Sequence, residues 1–361
     1  MALAAAALLV GVAGVVTAAP SQANLSVCPV GYQPTVHTIT PRANFQAEIS
    51  KLCAGDTLAL EPGTYVTGYL RFYADTPGPT GITKASAARP ITVTAADPSQ
   101  PPLIQGGLQF TGANYWRFSY LRVQATAAGL SALYMNGGVG WSVRFSEFFG
   151  ARATNSYANV VISGSKGYPR GFEFRGNLVH DAAISNRADA TDHNLYVNFQ
   201  GATGSGGLIT RNVLWNAPHG VGIKLGNGGA ANALGPWGVV VSMNTIYNSG
   251  RSILLHGNVR SNTIYGNLLQ RATAKFARDP RTTLIYVHDV TGPKNYFHHN
   301  YGFTASMFAY DPKRAVAIAT GNRMYNDAAH NPVLRSSTAG ILMPQNAVAK
   351  PYGAAGTGRW P

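Results

Sequence analysis

The chain has 361 residues, 45% of them hydrophobic and only 12% charged, with 41 glycines and two cysteines. That balance excludes a disordered chain, and frequent Gly and Asn with few long runs of Leu, Glu and Lys exclude a helical protein in favour of many short strands joined by turns. Lys and Arg outnumber Asp and Glu by 28 to 14, a net charge of +14, so the expected partner is a polyanion: an acidic polysaccharide, a nucleic acid or an anionic surface. No stretch interleaves aromatic and basic residues as a nucleic-acid module does. A basic pI that serves solubility alone is the plain alternative.

Residues 1–23, MALAAAALLVGVAGVVTAAPSQA, form an apolar run closed by small residues, and Ser21-Gln22-Ala23 fits a signal-peptidase site. Secretion, to the extracellular space or the periplasm, is the expectation, with no membrane span once the signal is removed. The usual positive segment ahead of the run is missing. A membrane helix is the alternative reading, the run being near the lower length limit for a span. For an exported protein the polysaccharide is the natural polyanion. Cys28 and Cys53, 25 residues apart, fit one disulfide closing an N-terminal cap in an oxidising compartment. Leu25-Ser26-Val27-Cys28 falls short of a lipoprotein box, because Val27 is bulky where a small residue is needed and acylation would strand Cys53.

Residues 41–52, PRANFQAEISKL, place Phe45, Ile49 and Leu52 at helical spacing and predict a short amphipathic helix. GDTLALEPGTY over 55–65 then alternates as a strand between turn signals. This helix-then-strand pairing resembles the N-terminal cap and first coil of right-handed parallel β-helix proteins, the pectate lyase-like superfamily. ARPITVTAADPSQPPLIQGG over 88–107 is similar to the next coil in the chondroitinase B-like and alginate lyase branch. The resemblance implies an all-β solenoid.

An internal repeat supports that fold independently. The segments LYMN, VVIS, LYVN, IKLG, ILLH and IYVH align Leu133, Val160, Leu195, Ile223, Ile253 and Ile285 in one apolar column, and Met135, Ile162, Val197, Leu225, Leu255 and Val287 in a second. The second column is spaced by 27, 35, 28, 30 and 32 residues, irregular in its loops and regular in its strands. A further series carries Asn177, Asn212, Asn244, Asn267 and Asn300 at matching places. Asn tolerates left-handed backbone and bonds local amides, which predicts a stacked ladder at one corner. Each coil buries its inner face only by stacking on the next. The repeat fades after about residue 325, so the expected organisation is a single domain over 24–361, with a cap to about 55 and an irregular tail over about 326–361. A monomer is expected.

Between the apolar columns the side chains point outward: Tyr134, Val161, Tyr196, Lys224, Leu254 and Tyr286, then Asn136, Ser163, Asn198, Gly226, His256 and His288. Coils about 4.8 Å apart make Tyr196 and Lys224 neighbours, with His256 one coil on. Asp192, His193, His219 and Arg251 precede these strands and are expected at one edge of the same face. Each has a bland counterpart: a solvated lysine, an aromatic stack, a histidine or aspartate tied to a turn. Convergence on one face is what favours chemistry.

Elimination at a uronic acid must neutralise the carboxylate, remove the adjacent C–H proton and protonate the departing glycosidic oxygen. Lys224 is the candidate base, its pKa lowered by nearby Arg251; Tyr196 or His219 is the candidate acid; Arg251 faces the carboxylate; His193 completes the catalytic set. His256, Asn194, Asn198, Tyr286 and His288 are candidates for substrate binding. The chondroitinase B-like lyases are expected to carry an Asn-Gly-x-Glu segment with glutamates for calcium. Here LYVNFQG holds no glutamate and the chain has only four, so a calcium site would need another arrangement, with Asp181, Asp189 and Asp192 as candidates.

Hydrolysis is the rival: His219-Gly220-Val221-Gly222 is similar to the Gly-His-Gly entry of pectin-cleaving β-helix glycosidases. An inverting hydrolase needs two carboxyl groups about 6.5–9.5 Å apart, for which Asp189 and Asp192 are the nearby pair. A uronate epimerase shares the lyase's proton abstraction, and a non-catalytic glycan-binding surface protein is the third class.

Overall fold

The computed structural model describes residues 22–24, 28–29, 31–74, 85–127, 129–151, 158–165, 167, 169–182, 192–198, 205–226, 234–272, 282–292, 294–319, 321–332, 334–336, 342–344 and 352–354. Parallel strands dominate them, in an 18-stranded and an 11-stranded sheet. A representative coil runs from Ser142–Arg144 in the smaller sheet to Glu147–Phe149 and then Ala158–Ser163, both in the larger one. The next coil repeats this order with Arg170–Arg175, Leu178–His180 and His193–Asn198. Each strand pairs in parallel with its counterpart one coil on, so three strand runs wind into a right-handed parallel β-helix.

The two apolar columns lie in register as their alternation predicts. Leu133 pairs with Val160, Val160 with Leu195, Leu195 with Ile223, Ile223 with Ile253 and Ile253 with Ile285. All these side chains are buried, in one cluster that runs from Ile39 to Ala305. Burial of this order, about 25 cal/mol per Å² of apolar surface, is the main force holding coil on coil.

At the corner between the smaller sheet and the larger one, Asn177, Asn212, Asn244, Asn267 and Asn300 form a buried ladder, which Ser146 begins and Asn322 ends. Each Oδ1 accepts the backbone N–H of the residue one coil earlier, at 2.9 Å from Asn177 to Asn212 and 3.0 Å from Asn212 to Asn244. Each Nδ2 donates to the next Oδ1 and to a carbonyl of the preceding coil, as Asn244 does to Asn267 at 3.0 Å and to Ile209 at 3.0 Å. The left-handed residue of the turn is not the Asn but the one before it: Gly176, Arg211, Met243, Gly266 and His299 all have positive φ. The Asn amide bonds the turn closed, and its neighbour takes the bend. A second ladder, Asn262 to Asn295 at 2.8 Å, stands at another corner.

The N-terminal helix covers Phe45–Lys51, shorter than the 41–52 expected, because Asn44 caps it by accepting from the Ala47 N–H at 3.1 Å. Phe45 and Ile49 seal the end of the core. Cys28 and Cys53 are joined in a disulfide as expected. Of the expected signal only Gln22 and Ala23 fall within the described residues, in a strand Gln22–Asn24 paired with Arg71–Tyr73, so the expected cleavage point lies inside that strand. At the other end, Leu334–Ser336 and Leu342–Pro344 pair antiparallel. The segment 352–354 folds back over the outside of the solenoid, where the Gly353 N–H donates to Gly266 O and the Ala354 N–H to Thr245 Oγ1. No helix of the described residues is long and apolar enough to cross a membrane.

The ladder sets a graded expectation. Asn244→Ala strands buried donors and acceptors on two coils and should cost about 2–4 kcal/mol, whereas Asn322→Ala, at the half-exposed end, should cost less than half as much. Urea unfolding followed by circular dichroism measures both, and equal costs would show that the ladder is not the clamp.

Candidate active site

The outward column assembles as its register requires. Tyr196 lies beside Lys224, Lys224 beside Leu254, Leu254 beside Tyr286, and Tyr286 beside Tyr310. One step along the strands, Gly226, His256 and His288 form the neighbouring row. The missing side chain at Gly226 leaves room there: a Cβ at that position would stand 3.3 Å from His256 Cβ and 3.4 Å from Lys224 Cε.

Lys224 is half-buried, and its Nζ lies over the Tyr196 ring, 4.5 Å from the centroid. Burial lowers its pKa from 10.5 to about 8. The direction matches the sequence reading but the cause does not: loss of water disfavours the ammonium, and Arg251 makes no resolved contribution. The Arg251 guanidinium is directed elsewhere, onto the Tyr286 ring, with Cζ 3.4 Å from its centroid, and the residue is 7% exposed.

His193 is 2% exposed, stands edge-on to Tyr196 with centroids 5.8 Å apart, and has no hydrogen-bond partner at Nδ1. Burial, and then the Lys224 charge, hold its pKa well below the ordinary 6.5, so it is neutral at pH 7. His256 is half-buried and its ring lies 4.9 Å from that of His288. Burial, Lys224 and His288 all lower its pKa, against a smaller opposing effect of Asp289. Lys224 therefore sits among rings kept neutral, in a site that disfavours positive charge.

Several expected members stand apart. Tyr196 is only 3% exposed and packs with Ala158, Val161 and Tyr134, so Lys224 rests on it as on a floor. Asn194 is fully buried: its Oδ1 accepts from Asn159 at 3.0 Å and its Nδ2 donates to Trp215 O at 2.9 Å. It belongs to the wall and presents nothing to a substrate, because its amide is taken up by Asn159 and the Trp215 carbonyl. Asn198 keeps an unpartnered, buried Oδ1 beside the row. His219 is half-buried in the bend where the strand Val213–Gly226 shifts register. The glycines after it serve close packing: a Cβ on Gly220 would fall 1.4 Å from Asp192 O, and one on Gly222 2.3 Å from Ile246 Cγ2. That explains the His-Gly-Val-Gly pattern without hydrolysis.

Of the three candidate metal carboxylates, Asp189 lies outside the described residues. Asp192 is 1% exposed. Asp181 is engaged by His180 Nδ1 at 2.8 Å and Asn216 Nδ2 at 2.5 Å. Among the described residues no group of three or more His, Cys, Asp or Glu is placed to hold a metal ion, so those residues do not fit a carboxylate-rich calcium site.

The sequence reading missed a charged cluster on the neighbouring strand run. Glu147 bonds Arg122 and His180, while His180 stacks between Phe149 and Trp215. Burial opposes the imidazolium, yet the bonds to Asp181 and Glu147 outweigh it and raise the His180 pKa. Its members are 25 to 33 residues apart in sequence, and only the coil register brings them together.

No protein-family model matches the chain, and no curated protein matches it. Solved structures do. The pectate lyase Pel9A superposes with a TM-score of 0.54 at 16% identity, over 84% of this chain and 83% of that one. An alginate lyase from Paenibacillus sp. str. FPU-7 gives a TM-score of 0.44 at 17% identity, over 81% of this chain and 98% of that one. At 16% identity the likeness to the pectate lyase shows the fold alone, a parallel β-helix.

The low pKa of Lys224 sets a stability expectation. Its folded value lies below the unfolded 10.5, so the cost is fully present below about pH 8 and vanishes as pH rises to 10.5. Lys224→Met should therefore raise unfolding free energy at pH 7 by about 2–3 kcal/mol, a gain that closes by pH 10.5. Urea titrations at the two pH values check it, and a gain independent of pH would refute the assignment.

Proposed function

We propose that this protein is a secreted polysaccharide lyase that cleaves a uronic-acid-containing chain by β-elimination. The observation that carries the reading is Lys224: a desolvated amine with a pKa of about 8, on an outward face shared with Tyr196, His256 and Arg251. A lysine tuned into that range is a competent base near neutral pH. The architecture shared with a pectate lyase, the disulfide and the net charge of +14 support the same reading.

In this mechanism Lys224 Nζ, in its neutral form, takes the proton on the carbon next to the carboxylate. The electron pair left behind forms the ring double bond as the bond from the β-carbon to the glycosidic oxygen breaks. His219, half-buried at the bend, returns a proton to that oxygen, since Tyr196 is buried beneath Lys224. The substrate carboxylate must also be neutralised to make the adjacent C–H acidic, a role for which Arg251 is not placed while its guanidinium lies on the Tyr286 ring, and neutral His193 keeps the pocket free of a competing positive charge. His256 and His288 hold neighbouring sugar residues. An epimerase would share the first step and return the proton to carbon instead. Hydrolysis is disfavoured, because Asp192 is buried.

The test is the ultraviolet absorbance of the unsaturated uronate product, with alginate, pectate, glucuronan, hyaluronan and chondroitin offered separately, with and without calcium or EDTA. One substrate should give a rise, and Lys224→Ala should lower the rate by about 10²–10⁴-fold. Because the base must be neutral, kcat/KM should climb with pH through about 8. New reducing ends without absorbance would move the assignment to hydrolysis; retention on a polyanion gel with neither signal would leave a glycan-binding protein.

A further inference from the structure

A second feature lies on the same face, two to three coils beyond Lys224 towards the C-terminus. There a cavity of about 170 Å³ is lined by Tyr286, His288, Asp289, Tyr310 and Lys313, closed behind by Val290. It is continuous with the candidate active site: Lys224 leads by register to Leu254, Tyr286 and Tyr310, and Gly226 to His256 and His288. The volume is well under the roughly 300 Å³ of a pocket for a drug-sized ligand, which suits one sugar ring better than several.

Its walls are fixed on one side and adaptable on the other. Arg251, Tyr286 and Tyr310 stack in a pile along the helix axis, with the two phenol rings 5.3 Å apart. With its ring faces engaged, Tyr286 offers its edge to the groove. Opposite stand His288, 3.5 Å from Asp289, and Lys313, 3.0 Å from the same carboxylate. Lys313 is 65% exposed, so its ion pair with Asp289 is weak and readily exchanged for a ligand carboxylate. Asp289 is then left to accept from sugar hydroxyls. Asp311, also in the wall, is occupied with the backbone N–H groups of Ala315 and Val316 and takes no part.

We propose that this cavity is a distal subsite for one uronate residue, with Lys313 on its carboxylate and Asp289 and the Tyr310 hydroxyl on its ring hydroxyls. This rests on the polysaccharide reading and deepens it. Coils about 4.8 Å apart advance the face by about one sugar residue each, so a chain lying along the columns reaches the cavity two to three residues from the one at Lys224. A dimer bound across Lys224 does not span that distance; a hexamer does.

Isothermal titration of the full chain with di- and hexagalacturonate, and with di- and hexamannuronate, tests this apart from turnover. One hexamer should bind about tenfold more tightly than its dimer. Lys313→Glu, at an exposed position that leaves the fold intact, should erase most of that advantage, weakening the hexamer about tenfold and the dimer less than twofold; Tyr310→Ala should act in the same direction. An undiminished hexamer advantage in both variants overturns the subsite, as does a wild-type protein that binds neither oligomer. Absorbance assays on the same samples separate the two readings: length-dependent binding without an unsaturated product keeps the subsite and rejects the lyase, and turnover with a length dependence unaltered by Lys313→Glu does the reverse.

Discussion

Everything in this molecule depends on the register of one coil on the next. The Asn ladder fixes it, because each carboxamide bonds the backbone of the coil before and the carboxamide of the coil after. A slip of one residue would turn every apolar side chain out and strand those buried amides together. With register held, residues about thirty positions apart in sequence become neighbours on the outer face. Tyr196 meets Lys224 in this way, as Glu147 meets His180.

The same rigidity explains how an ordinary lysine becomes a base. Lys224 is half-buried with its Nζ over the Tyr196 ring, held there by the strands paired on either side of its own. Its ammonium is poorly hydrated and no carboxylate compensates for it among the causes of its shift. The fold therefore carries a destabilising side chain at the point where chemistry is proposed, which is the usual relation between function and stability. The stacked core and ladder supply the stability that offsets it.

What the sequence disclosed follows from periodicity. Alternation by two, recurring every coil, revealed both apolar columns and the outward row, because a strand has one inner face and the core tolerates only apolar residues there. The ladder was equally visible, since its chemistry demands Asn at each step. Its left-handed partner was less visible: that position holds Gly176 and Gly266 but also Arg211, Met243 and His299, so backbone geometry there leaves only a partial mark in residue type. Contacts between coils obscured the rest. Asn194 reads as a surface group by alternation, but bonds to Asn159 and to the Trp215 carbonyl, from coils 35 and 21 residues away, bury it. The cavity at Lys313 was missed because its walls join two coils through a loop, and the cause of the Lys224 shift because burial is a property of packing rather than of spacing.

The central claim is that Lys224 is a desolvated amine with a lowered pKa. It is tested most directly by titrating the lysine Nζ groups by NMR in protein carrying isotope-labelled lysine, with Lys224→Met to assign the resonance. A midpoint near 8 is expected for Lys224, set apart from the exposed lysines. A midpoint at the ordinary 10.5 would mean that the amine is hydrated, and would remove the base from the proposed mechanism.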